Sequence, residues 1–148
     1  MSELIIEKEA DGVMRRDAIA KFPDECCGFF YGEEKEGFRI VRLAVPVENA
    51  QEGDQKRRFE ISPFDYMKAE SFALQNNFTL LGIYHSHPQH PAIASEHDLK
   101  FAMPYFSYVI YSVIDGKIND IKSWILDDNN EKFIEQKLQT IILETIKQ

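Results

Sequence analysis

The chain has 148 residues, with 17 Lys plus Arg against 25 Asp plus Glu and a formal net charge of −8. So acidic a balance argues against a protein whose task is to hold nucleic acid or an anionic membrane, since phosphate recognition needs a cationic surface. The 44% hydrophobic and 12% aromatic content places it outside the regime of disordered chains, and its length suits a single globular domain over residues 1–148.

The opening MSELIIEKEADG lacks a basic segment followed by an apolar one, and no stretch approaches the roughly 18–20 apolar residues of a membrane span. The expectation is an untargeted, cytoplasmic protein. Cys26 and Cys27 are the only cysteines. Sequence neighbours pair only through a strained ring, so no disulfide framework is expected and a reducing compartment is the simpler reading.

Along the chain, Val13, Met14, Ala18, Ile19 and Phe22 recur at helical spacing, which predicts a helix over Asp11–Phe22 stopped by Pro23. Cys27–Tyr31, ending at Gly32, and Phe38–Val45 read as a hairpin around the turn EEKEG. Pro46–Arg58 is a polar surface loop ahead of a short strand candidate, Phe59–Ile61. Ser62 and Pro63 form a helix entry, a hydroxyl cap followed by proline, for a helix running to about Gln75. Phe78–Tyr84 is a mostly uninterrupted apolar run, as a strand buried on both faces would be, and it leads into HSHP. A helix over Ser95 to about Ala102, closed by Pro104, precedes two strands, Ser107–Ile114 and Lys117–Leu126, joined at Asp115-Gly116. The last segment, Asn130–Lys147, places Phe133, Ile134, Leu138, Ile141, Ile142 and Ile146 on a helical stripe that either completes the core or forms a homodimer face. The order predicts one mixed α/β domain.

All four histidines, His85, His87, His90 and His97, fall within 13 residues where the buried strand ends. On an extended backbone residues i and i+2 share a side, so His85 and His87 can aim at one point while Ser86 faces away. After the loop QHPAIA, Ser95 opens a helix whose first turn can return Asp98 to that point. Two imidazoles and a carboxylate with one position left for water make the open ligand set of a hydrolytic zinc site. Each part also has an ordinary reading: an isolated HxH as polar edge residues, and SxxD as a helix cap. Capping and metal binding are compatible, and a cap needs no histidines nearby. His90 and His97 lack the alternation that aligns the other pair, so they read as loop residues. A hydrolase also needs a proton carrier, a role glutamate often fills, but spacing cannot choose among the 15 glutamates.

The segment HSHPQHPAIASEHD, His85–Asp98, resembles the metal motif of the JAMM (MPN-plus) metalloprotease family. PDECCGFFYG, Pro23–Gly32, resembles its catalytic glutamate segment, and SYVIYSVIDG with KSWIL is similar to the two strands that follow the motif in the compact bacterial branch. One departure is Ala94, where relatives often carry proline. The resemblance implies a curved mixed sheet flanked by helices, related in outline to cytidine deaminases. It implies one zinc per chain held by His85, His87 and Asp98, with Glu25 as general base acting on water at the zinc and Ser95 supporting the oxyanion. The substrate it implies is a peptide or isopeptide bond after the Gly-Gly tail of a ubiquitin-like (β-grasp) sulfur-carrier protein, or an amino-acid adduct on that tail. Two rival readings stand beside this one: a mononuclear iron oxygenase using the same His/His/Asp set, and a non-catalytic binding module on the same scaffold.

Overall fold

The computed structural model describes residues 2–141. In chain order the elements are β1 (Glu3–Glu7), α1 (Lys8–Lys21), β2 (Cys27–Lys35), β3 (Phe38–Val47), α2 (Pro63–Gln75), β4 (Thr79–Pro88), α3 (Glu96–Lys100), β5 (Ser107–Ile114), β6 (Lys117–Leu126), β7 (Phe133–Gln136) and β8 (Leu138–Ile141). No helix among the described residues is long and apolar enough to cross a membrane.

The eight strands form one mixed sheet in the order β7-β6-β5-β4-β2-β3-β1-β8. Its two outermost strands, β7 and β8, are separated in the chain by Lys137 alone. A one-residue link cannot cross a flat sheet of this width, so the sheet curls until its edges nearly meet. The buried Gln136 side chain ties the seam: its carbonyl oxygen accepts from Ser123 Oγ of β6 at 2.8 Å, and its amide donates to the Ser2 carbonyl at 3.1 Å. Near-closure leaves little of the backbone edge free to recruit another chain.

The two faces of the sheet carry separate cores. Leu4, Ile6, Phe30, Val41, Leu81, Tyr84 and Val109 pack with Ala10, Met14 and Ala18 of α1. Phe29, Tyr31, Ile83 and Tyr108 pack with Ala69 and Ala73 of α2. Helix α1 is also pinned by polar bonds. Tyr111 and Tyr84 donate to the buried carboxylates of Asp11 and Asp17 at 2.7 and 2.8 Å. Arg15 and Lys21, one turn further along, cover the same carboxylates from outside.

The sequence reading is accurate at the centre of the sheet and fails at its margins. Strands β5 and β6 have the expected bounds, with Asp115 and Gly116 both at positive φ, as a tight two-residue hairpin requires. Strand β2 continues past Gly32 to Lys35, because Gly32 marks a bulge and not an end. Helix α3 is a single turn, shorter than expected. Phe59–Ile61 is not a strand: Glu60 donates to Asn49 Oδ1 and accepts from the Ala50 N–H, which uses its backbone on the loop.

The expected C-terminal helix is replaced, over its described part, by β7 and β8, while residues 142–148 lie outside the described residues. The apolar spacing of Phe133, Ile134, Leu138 and Ile141 suits a helix, but β6 and β1 each present an open edge that a strand satisfies along its whole length. The same demand accounts for β1, whose short run ELIIE carries no decisive periodicity.

Gly82 shows how tightly β4 is held. A Cβ there would lie 1.9 Å from the Ser107 carbonyl oxygen and 2.6 Å from the Phe30 ring, so backbone would have to move. Gly82→Ala is expected to lower stability by about 2–3 kcal/mol, read as a lower urea midpoint with an unchanged slope. An unchanged midpoint would show that β4 and β5 part there at no cost.

Candidate metal centre

Strand β4 lies between antiparallel β2 and parallel β5, with His85 opposite Cys27 on one side and Ile110 on the other. A register shift opposite Phe30 and Tyr31 leaves Leu81 without a partner in β2, and this bulge sets the alternation of the strand residues beyond it. Ile83 faces α2 and Tyr84 faces α1, so His85 and His87 project on the α2 side and Ser86 on the α1 side. Ser86 has work of its own, which its placement in the motif does not announce. Its fully buried hydroxyl accepts the Cys26 N–H at 2.8 Å, docking the segment that carries Glu25 beside the strand that carries the histidines.

His85, His87 and Asp98 each offer a ligand atom, and the three atoms lie within 4.8 Å of one another. His87 Nδ1 is 2.9 Å from the Pro91 carbonyl, which can only accept, so Nδ1 carries the proton. The lone pair of the neutral ring is then on Nε2, which faces Asp98 Oδ2 at 3.2 Å. Two acceptors at that separation repel unless a cation or a second proton lies between them. His85 Nε2 is 3.7 Å from Asp98 Oδ1, and its Nδ1 is 3.6 Å from Glu25 Oε1. That Nδ1 and that Oε1 are both buried and have no hydrogen-bond partner among the described residues, and Glu25 is only 4% exposed. Unpaired buried polar atoms cost on the order of 1–3 kcal/mol each, more when charged. The donor set of two imidazoles and a carboxylate, with orphaned atoms converging on it, fits a divalent cation such as zinc.

The protonation balance points the same way. Burial pushes the Asp98 carboxyl up, but the His85 and His87 imidazoles and the Ser95 backbone N–H outweigh it and hold Asp98 well below the usual carboxylate range. Burial pulls His87 down, yet its bond to Asp98, the Pro91 carbonyl and the charge of Glu25 raise it above the ordinary imidazole value. Both shifts favour positive charge between the His87 ring and the Asp98 carboxylate.

Ser95 and Asp98 form a capping box: Ser95 Oγ accepts the Asp98 N–H at 3.0 Å, and Asp98 Oδ2 accepts the Ser95 N–H at 2.9 Å. The oxygen that caps the helix is therefore the one facing His87, so the cap itself aims the carboxylate. Ser95 is exposed, and its hydroxyl proton remains free to be donated.

Two cavities meet at this group. One, of about 200 Å³, runs from His85 and Asp98 between Phe59, Ile61, Tyr66 and Tyr108, with Phe101 and Met103 at its rim. The other is an open groove of about 400 Å³ bordered by Glu25, His87, Ser95, Arg57, His90 and Ile93. His97 borders the first cavity against Phe101 and His90 the second, and neither belongs to the ligand group. Phe59, read from sequence as strand, instead stacks on the His85 ring with centroids 4.4 Å apart. Burial, aided by the charge of Asp17, raises both cysteine thiols, Cys27 to about 12, so neither supplies a thiolate near Glu25 at neutral pH.

Residues 7–127 match the family model described as prokaryotic homologs of the JAB domain. The desampylase of Pyrococcus furiosus is 33% identical over 111 residues, which span 72% of this chain and 70% of that protein. A Thermus thermophilus protein named "Probable TtuB-protein conjugate cleaving protease" is 28% identical over 117 residues, covering 79% of this chain and 72% of its own. The solution structure of DSY2949 from Desulfitobacterium hafniense superposes with a TM-score of 0.82 at 26% identity, covering 94% of this chain and 93% of that one. That of a Salinibacter ruber protein gives 0.69 at 29% identity, covering 97% and 94%. The family match takes in Glu25, the two histidines of β4, Ser95 and Asp98 together with β2, β4 and α3, and this chain belongs to the prokaryotic JAB (JAMM, MPN-plus) family.

Proposed function

We propose that this protein is a zinc-dependent peptidase or isopeptidase that hydrolyses the bond following the Gly-Gly tail of a ubiquitin-like, β-grasp sulfur-carrier protein. The product amine is that of a conjugated protein or of an amino acid added to the tail. The observation that carries this reading is the buried Glu25 carboxylate, whose Oε1 has no hydrogen-bond partner among the described residues and lies 3.6 Å from His85, beside a group of three residues that could hold a metal. The names of the relatives support the substrate class, since one is named for cleaving protein conjugates.

His85, His87 and Asp98 would hold one zinc. When bound, zinc acidifies a water ligand and polarises a carbonyl. Glu25, with no competing hydrogen bond on Oε1, takes the proton of the attacking water and later delivers one to the departing amine. The Ser95 hydroxyl, held by the Asp98 N–H on its acceptor side, donates to the carbonyl oxygen as negative charge develops there. Losing one such donor costs roughly 3–4 kcal/mol in other hydrolases. An acid must touch the nitrogen it protonates, so the leaving group occupies the groove bordered by Glu25 and the carrier tail approaches from the apolar cavity. Arg57 of the loop after β3 and His90 and Ile93 of the loop after β4 border the groove on the leaving-group side.

Glu25→Gln preserves shape while removing the proton carrier. Turnover is expected to fall by about 10²–10⁴ with metal content unchanged, followed by intact mass on carriers extended beyond Gly-Gly and by elemental analysis. Near-normal cleavage would assign the base elsewhere. Zinc at about 100 times its dissociation constant is expected to stabilise the folded chain by about 2.7 kcal/mol, or roughly 5–10 °C in Tm. His85→Ala and Asp98→Ala should abolish that shift. Iron in place of zinc after anaerobic purification, together with no cleavage of extended carriers, would favour the oxygenase reading.

A further inference from the structure

Glu25 lies just before β2, which begins at Cys27, so the sheet ladder supplies no partners for its backbone. Its N–H donates instead to the Gln55 carbonyl at 2.7 Å, and its carbonyl accepts from Asn49 Nδ2 at 3.3 Å. Both partners belong to the segment between β3 and α2. The proposed base is therefore held at the site by a loop that carries no ligand.

Within that loop the Asn49 side chain uses its whole hydrogen-bonding capacity. Nδ2 donates to the carbonyls of Glu25 and Arg58, the latter at 3.0 Å, and Oδ1 accepts the N–H groups of Gln51 at 2.9 Å and Glu60 at 3.1 Å. The bond to Gln51 is the local turn common for asparagine. Of the other three, those to Arg58 and Glu60 span the loop itself, and that to Glu25 reaches across to the segment before β2. Arg58 and Glu60 are the two neighbours of Phe59, whose ring stacks on His85. The Asn49 carbonyl also accepts from Gln55 Nε2 at 3.1 Å, linking it to the residue that holds the Glu25 N–H.

We propose that Asn49 is a positioning residue for this hydrolysis. One side-chain amide sets both the backbone of the base and the aromatic wall against the first imidazole, and thereby the 3.6 Å approach of Glu25 to His85. The inference rests on the assignment of the base to Glu25. Asn49 borders neither cavity that receives substrate in that reading, so its effect passes through Glu25 and Phe59. Misplacement of a catalytic group by about 1 Å costs on the order of 100-fold in rate.

Two variants test this. Asn49→Ala removes all four side-chain bonds, while Asn49→Asp keeps both accepted bonds and loses both donated ones, so it remains informative should the alanine variant unfold. In folded protein each is expected to lower kcat by about 10–100-fold while leaving KM for the extended carrier within about threefold. A residue that only ordered the loop would lower the melting temperature and leave kcat of the folded fraction intact. Hydrogen exchange gives a readout independent of turnover: the Glu25 amide should lose protection in Asn49→Ala while β4 and β5 keep theirs. A folded variant with kcat within twofold of the parent, or with Glu25 protection unchanged, overturns the proposal. Should Glu25→Gln retain turnover, the base assignment falls, while the exchange result separately decides whether Asn49 holds the Glu25 backbone.

Discussion

The confrontation of His87 Nε2 with Asp98 Oδ2 is the constraint around which the molecule is arranged. Two lone pairs held 3.2 Å apart, one from an imidazole and one from a carboxylate, with a second imidazole behind them and the Glu25 carboxylate at its back, form a site that is unfavourable without a positive charge. Local hydrogen bonds make the arrangement hard to relax. The Pro91 carbonyl fixes the tautomer of His87, and the capping box fixes the carboxylate of Asp98. A free side chain would turn away, and these cannot without giving up a bond made elsewhere.

That unfavourable site has to be held by a stiff frame. Strand β4 is central in a sheet whose edges almost meet, and its neighbours β2 and β5 approach so closely at Gly28 and Gly82 that no side chain fits. Asp11 and Asp17 of α1 bind the hydroxyls of Tyr111 and Tyr84 from the opposite face. The strand therefore cannot slip, and slipping by a single residue would turn both histidines to the α1 side. Elements with less to position are shorter or looser: α3 is one turn, and the loop before α2 has no ladder bonds and relies on side-chain amides.

The gathering of His85, His87 and Asp98 was legible because it is local. The alternation of His85 and His87 and the four-residue capping pattern of Ser95 to Asp98 are short-range geometries that hold in almost any context. The placing of Glu25 beside this group was legible only through family resemblance, since a charged residue after a helix carries no local mark of burial. Phe59 and Ser86 were not legible as parts of the site. Their roles depend on which strand lies beside which, and that is set by pairings between segments far apart in the chain.

The sequence by itself determined the strands and helices with strong periodicity or clear caps, namely α1, α2, β4 and the β5–β6 hairpin, along with the identity of the residues around the proposed metal. The tertiary structure alone decided the ends. It drew β1, β7 and β8 into strands because open sheet edges leave backbone N–H and C=O groups that must be paired. It also decided that the Glu25 carboxylate lies buried against His85, because burial arises from packing between distant segments and leaves no periodic trace in either one.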